Sequence, residues 1–178
     1  MKHGSLFSGG CDGFSLAAAW MGWTTIFQVE KNEHRRKILA KNFPGATRYD
    51  DIREFDGTPF RGAVDIISGS DPCQPFSTAG PGKGTADDRY LWPEMYRIIR
   101  EIQPAWVINE NVSGTIAHGV LDLKIDDVER EGYTCQAYCI PAEGVGAPHR
   151  RERVWLIANL HNTNPKRSEQ KRPVNTWK

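Results

Sequence analysis

The chain has 178 residues, of which 39% are hydrophobic and 25% charged, and its formal net charge is +1. That size and composition describe one folded domain with its own core and exclude a disordered, fibrous or coiled-coil chain. No apolar run is long enough for a membrane span, the first residues lack a signal peptide's apolar stretch, and four cysteines do not make a disulfide framework, so a reducing cytoplasm is expected.

The elements follow in chain order. Gly4 to Phe7 reads as a short strand that runs into a glycine-rich turn. Phe14 to Trp23 reads as an Ala-rich helix ending near Gly22, and Thr24 to Glu30 (TTIFQVE) as a buried strand. Asn32 to Asn42 is a charged helix closed by Pro44 and Gly45. Ala63 to Ser68 (AVDIIS) is a strand that enters a long Pro- and Gly-rich loop reaching about Asp88. Tyr90 to Gln103 is helical, with Pro93 in its first turn. Ala105 to Asn109 is a strand, and Leu121, Ile125 and Val128 stand at helical spacing before Gly132. Tyr133 to Ile140 and Val154 to Ala158 are the last two strands. Trp20, Trp23 and Trp155 are expected in the core, as are Cys135 and Cys139, which share one face of a strand.

This alternation implies an α/β fold, a doubly wound and mainly parallel sheet over residues 1–160. From His161 onward the chain holds five Lys/Arg and one Glu and reads as an exposed basic tail, 161–178. In such sheets ligands bind beyond the carboxyl ends of the strands. Five segments near predicted strand ends carry chemistry. LFSGGCDGF (6–14) joins a strand to a helix, and its glycines allow close backbone approach to a ligand. It lacks the strict G-x-G-x-x-G spacing of a standard dinucleotide site. Glu30 ends the second strand, where an acid commonly binds ribose hydroxyls; a solvated carboxylate fits that spacing equally well. In SGSDPCQPFS (68–77), Cys73 lies between Pro72 and Gln74, directly beyond a buried strand. A loop cysteine stiffened by prolines suits a nucleophile better than a core filler. NENVSG (109–114) places Glu110 as a general acid or a partner for a base edge, against a plain helix-start carboxylate. APHRRERVW (147–155) offers three arginines for an anion or a carbonyl, or a solvated charge run.

Taken together and in this order, the five segments resemble the cytosine-C5 DNA methyltransferases over roughly residues 1–160. The Pro-Cys-Gln loop, the Glu-Asn-Val strand end and the arginine segment are the specific part. The resemblance implies an S-adenosylmethionine-dependent methyltransferase (Rossmann-like) fold and S-adenosylmethionine as cofactor. It implies that Phe7, Gly9 and Gly13 line the methionine and adenosine side, that Glu30 holds the ribose hydroxyls, and that Asp51 and Ile52 touch the adenine. Pro72 and Leu91 complete the wall near the methyl group. By the same resemblance Cys73 adds to C6 of a cytosine flipped from double-stranded DNA and Glu110 stabilises the proton on N3. Arg153 meets the cytosine O2, and Arg151 supports the loop. No metal is implied, since the five histidines show no ligand spacing.

The departures from the family pattern are expectations too. The glycine turn is one residue longer than usual, which leaves Gly10 to Asp12 unmatched. Asp71 replaces an apolar residue two positions before Cys73, and its charge is expected to oppose a thiolate. Family members continue into a target recognition domain and a closing segment for the cofactor pocket, neither of which lies in these 178 residues. A second subunit supplying target recognition is therefore expected, in a restriction-modification or phage self-protection setting. The competing reading is a catalytically impaired relative that binds cofactor or DNA in a regulatory role. An unrelated Rossmann-type oxidoreductase leaves Cys73, Glu110 and Arg153 unexplained.

Overall fold

The structure is a computed structural model that describes residues 1–72 and 90–160. Seven strands form one sheet: β1 (Lys2–Leu6), β2 (Thr24–Val29), β3 (Thr47–Tyr49), β4 (Ile66–Gly69), β5 (Trp106–Val112), β6 (Tyr133–Pro141) and β7 (Glu152–Leu160). Their order across the sheet is β3-β2-β1-β4-β5-β7-β6. The pairs β3–β2, β2–β1, β1–β4 and β4–β5 are parallel. A helix bridges three of the parallel connections: α1 (Gly13–Trp20) from β1 to β2, α2 (Glu33–Asn42) from β2 to β3 and α3 (Trp92–Ile102) from β4 to β5. The short α4 (Gly114–Ala117) and α5 (Val120–Arg130) lie between β5 and β6. Residues 142–151 hold only a 3-10 turn, which cannot carry a parallel crossover. The chain therefore turns back, and β7 inserts antiparallel between β5 and β6.

The local sequence explains the elements. In α3, Trp92, Met95, Ile98, Ile99 and Ile102 recur at helical period, and all are buried against the sheet. Pro93 fits the first turn, and the helix stops at Gln103, which takes a left-handed backbone (φ 48°) before Pro104. These side chains join Leu6, Phe27, Val29, Ile67 and Val107 in the main core. Each large aliphatic there contributes about 2–5 kcal/mol against truncation to Ala. Phe27 packs tightly enough on β1 that a Cβ at Gly4 would lie 2.3 Å from its ring, so glycine is required.

Most expected elements lie within a few residues of their predicted bounds, and the differences have physical causes. β3 has only three residues, Thr-Arg-Tyr, too few to show a period, and exists because β2 offers it an edge. Glu110 lies inside β5 rather than at its end, because pairing with β7 extends that strand to Val112. Trp20 is not a core residue: the last turn of α1 faces outward and leaves it 78% exposed. Trp155 is half-buried, edge-on to Phe14 at 5.9 Å, and Trp23 is half-buried. Cys135 and Cys139 share the inner face of β6, where both are half-buried.

Candidate active site

Parallel strands bring the loops after β1, β2, β3 and β4 to one end of the sheet. The first of these is the glycine turn. Phe7 (φ 54°), Gly9 (φ 64°) and Asp12 (φ 37°) all take left-handed backbone there. For Phe and Asp that costs of order 1–3 kcal/mol, a strain that clusters at ligand sites. Asp12 sustains the turn. It is 3% exposed and caps α1, accepting from the Ser15 N–H (3.1 Å), Ser5 Oγ (3.0 Å), Gln28 Nε2 (2.7 Å) and the Ser15 hydroxyl.

Glu30, just past β2, is 7% exposed and ties the turn to α2. Its Oε2 accepts from Gly9 N–H (2.8 Å) and its Oε1 from Asn32 N–H (2.8 Å). A carboxylate has about four lone-pair sites, so acceptor capacity remains for a diol. Space remains as well: a Cβ built on Gly9 or Gly13 meets nothing within 4 Å. Asp51 and Ile52 follow β3. Asp51 is held below the usual carboxylate range, first by the Arg53 N–H and then by Lys31, whose Nζ lies 3.2 Å away. Ile52 is buried and packs into the main core. Leu91 caps α3, and Pro72 follows β4.

The second part of the site lies between β4, β5 and β7. Ser70, Asp71, Pro72, Glu110, Asn111, Val112, Arg151 and Arg153 line a cavity of about 200 Å³. Antiparallel pairing sets Arg153 opposite Val112 and within reach of Glu110, whose Oε1 lies 2.8 Å from Arg153 Nε. The other carboxylate oxygen accepts from Ser70 Oγ at 2.7 Å. Glu110 is thus fixed by partners from two neighbouring strands' segments. Arg151 is exposed, lines the same cavity and has a left-handed backbone (φ 41°). Four of the expected site residues, Pro72, Glu110, Arg151 and Arg153, therefore meet at one cavity. Cys73, the next residue after Pro72, lies outside the described residues.

A sequence model of the C-5 cytosine-specific DNA methylase family matches residues 1–177. The chain belongs to that family. Among curated relatives it is 32% identical to type II methyltransferase M.Eco47II of Escherichia coli, over 84% of this chain and 37% of that one. It is 33% identical to type II methyltransferase M2.BsuMI of Bacillus subtilis, over 90% and 42%. The structure of the S. pombe Dnmt2 methyltransferase superposes with a TM-score of 0.74 over 90% of this chain and 51% of that one, at 19% identity, and shares the fold. The chain thus spans about half, or less, of the length of these proteins.

In this cytosine C-5 methylase chain the structure corrects what was expected of the Asp71 charge. Asp71 is 4% exposed and its carboxylate lies 2.6 Å from Nζ of Lys124, itself 1% exposed, on α5. The negative charge expected to oppose a neighbouring thiolate is matched by a buried cation. Sequence reading missed Lys124, although a signal existed: it stands three residues after Leu121 and four before Val128, on the buried stripe of α5. Asn109 and Asn111 were read only as neighbours of Glu110. They point to the opposite face of β5 and both donate to Asp71. The Tyr90 hydroxyl has its pKa pushed up to about 12 by burial and by the nearby Asp71 and Asp127 carboxylates. Among the described residues no three His, Cys, Asp or Glu side chains gather where a metal would bind, and no helix is long and apolar enough to cross a membrane.

Proposed function

We propose that the chain carries the catalytic half of a DNA cytosine-C5 methyltransferase. The observation that carries this reading is the cavity of Pro72, Glu110, Arg151 and Arg153, whose Pro72 is followed directly by Cys73. The glycine turn, Glu30, Asp51, Ile52, Pro72 and Leu91 would hold S-adenosylmethionine. Glu30 would accept from the ribose diol, and the open space over Gly9 and Gly13 would admit the rest. When bound, that cofactor would supply an electrophilic methyl group, which leaves the sulfonium sulfur as carbon 5 of cytosine takes it.

The chain's own residues make carbon 5 reactive. Cytosine is a weak carbon nucleophile. The Cys73 thiolate adds to C6, Glu110 supplies and holds the proton at N3, and the ring becomes an enamine with electron density on C5. Arg153 keeps Glu110 aimed into the cavity and presents its guanidinium to the O2 edge, while Arg151 shapes the loop before β7. After transfer a water molecule takes the C5 proton, the C–H electron pair expels the thiolate, and the N3 proton returns to the Glu110 carboxylate, which restores the aromatic ring. The target base is inaccessible in a duplex, so double-stranded DNA must surrender it to the cavity. Target recognition, which the longer relatives have additional length to supply, we assign to a further polypeptide or segment. The setting we propose is a bacterial or phage-infected cytoplasm, in line with the bacterial type II relatives.

The test is Cys73→Ser. The wild-type chain with S-adenosylmethionine is expected to form a covalent adduct with DNA carrying 5-fluorocytosine. The variant is expected to form none while still binding cofactor. An adduct that survives the substitution removes Cys73 from the mechanism.

A further inference from the structure

The proposed chemistry leaves the buried ion pair beneath the cavity unused. Asp71 Oδ1 receives Lys124 Nζ at 2.6 Å, Asn109 Nδ2 at 2.8 Å and Asn111 Nδ2 at 3.2 Å. Lys124 Nζ also donates to Asn109 Oδ1 at 2.9 Å and lies 4.8 Å from the centre of the Trp92 ring. The two asparagines hold main chain as well: Asn109 Nδ2 donates to the Gly69 carbonyl (3.0 Å) and Asn111 Nδ2 to the Asp71 carbonyl (3.2 Å). Side chains from β5 and α5 thus grip the chain from Gly69 to Asp71.

A buried ion pair is a poor device for stability alone. Desolvating both charges offsets most of their attraction, and an apolar pair of similar volume commonly does as well or better. What the pair imposes is position. Shifting Asp71 away from Lys124 strands two charges where no water reaches them, so the segment has one allowed placement. That segment leads directly into Pro72, whose ring restricts the backbone, and Cys73 is the next residue in the sequence.

We infer that Lys124 is a positioning residue: with Asp71 it forms a charge-neutral clamp that fixes residues 69–72, and so the point from which the Cys73 segment departs. The functional consequence rests on the reading of Cys73 as nucleophile; the clamp itself does not.

The experiment is a double-mutant cycle of Lys124→Met, Asp71→Asn and the two combined, in the full chain. Backbone hydrogen exchange at residues 69–71 requires no turnover. Each single variant is expected to speed it about tenfold or more, with β2 amides unchanged, and the neutral double variant is expected to recover most of that protection. In parallel, adduct formation with 5-fluorocytosine DNA is expected to slow about tenfold in each single variant and to recover in the double. Lys124→Arg, which keeps the charge, serves if a single variant does not fold and is expected to retain wild-type exchange. Three results overturn the inference: unchanged exchange at 69–71, equal acceleration in β2, or a double variant as impaired as the product of the singles. A wild-type chain that forms no adduct counts against the methyltransferase reading, and exchange still decides the clamp.

Discussion

Asp12 is the residue on which the glycine turn depends, and Asp12→Ala measures how much. Three kinds of loss add. The α1 cap is worth about 1 kcal/mol. Ser5 Oγ and Gln28 Nε2 lose a buried acceptor, at roughly 1–3 kcal/mol each before relaxation. Alanine also tolerates the left-handed backbone at φ 37° less well than aspartate. The expected cost is about 4–5 kcal/mol, a large share of the roughly 5–15 kcal/mol that holds a domain together. It corresponds to a fall of about 8–20 °C in Tm for a domain of this length. Asp12→Asn is the informative partner. Its amide oxygen still caps Ser15, and its amide nitrogen faces Gln28, whose Oε1 is buried without a partner and gains one if the Gln28 amide turns over. That variant is expected to lose only about 1–2 kcal/mol. Urea unfolding with an unchanged m-value reads both. A loss under about 1.5 kcal/mol for Ala, or equal losses for Ala and Asn, would refute the argument.

Two further predictions concern pH and the site. His3 is buried between Thr25 and Ser68, and burial lowers its pKa from 6.5 to about 4. Between those values the unfolded chain binds more protons than the folded one, so stability falls as pH drops from 6.5 towards 4 and is level above. The loss by pH 4.5 is about 2.5 kcal/mol, and His3→Gln is expected to flatten that slope in urea titrations at pH 4.5 and 7. Arg153→Met leaves Glu110 with Ser70 as its one side-chain partner among the described residues. Methyl transfer to DNA is expected to fall about a hundredfold at unchanged cofactor affinity and with little change in Tm. Proportional loss of both binding and transfer would show that Arg153 supports the fold and not the reacting base.

The amino-acid sequence carried the alternation of strands and helices, the parallel character of most of the sheet and the strand-end placement of the glycine turn and Glu30. These rest on local patterns: runs of β-branched residues, the apolar period of α3, and glycines where a chain must turn. It also named Pro72, Glu110, Arg151 and Arg153, which proved to share one cavity. The rest turns on how segments distant in sequence pack together. β3 is too short to carry a pattern and depends on β2 for its existence. The reversal of β7, set by the short link from β6, is what delivers Arg153 to Glu110. Trp20 has the composition of a core residue, yet α1 turns it to the surface. In the sequence Asp71 is an uncompensated charge two residues before Cys73. Its partner, Lys124, lies 53 residues further along, and only the packing of α5 against the sheet closes the distance to 2.6 Å.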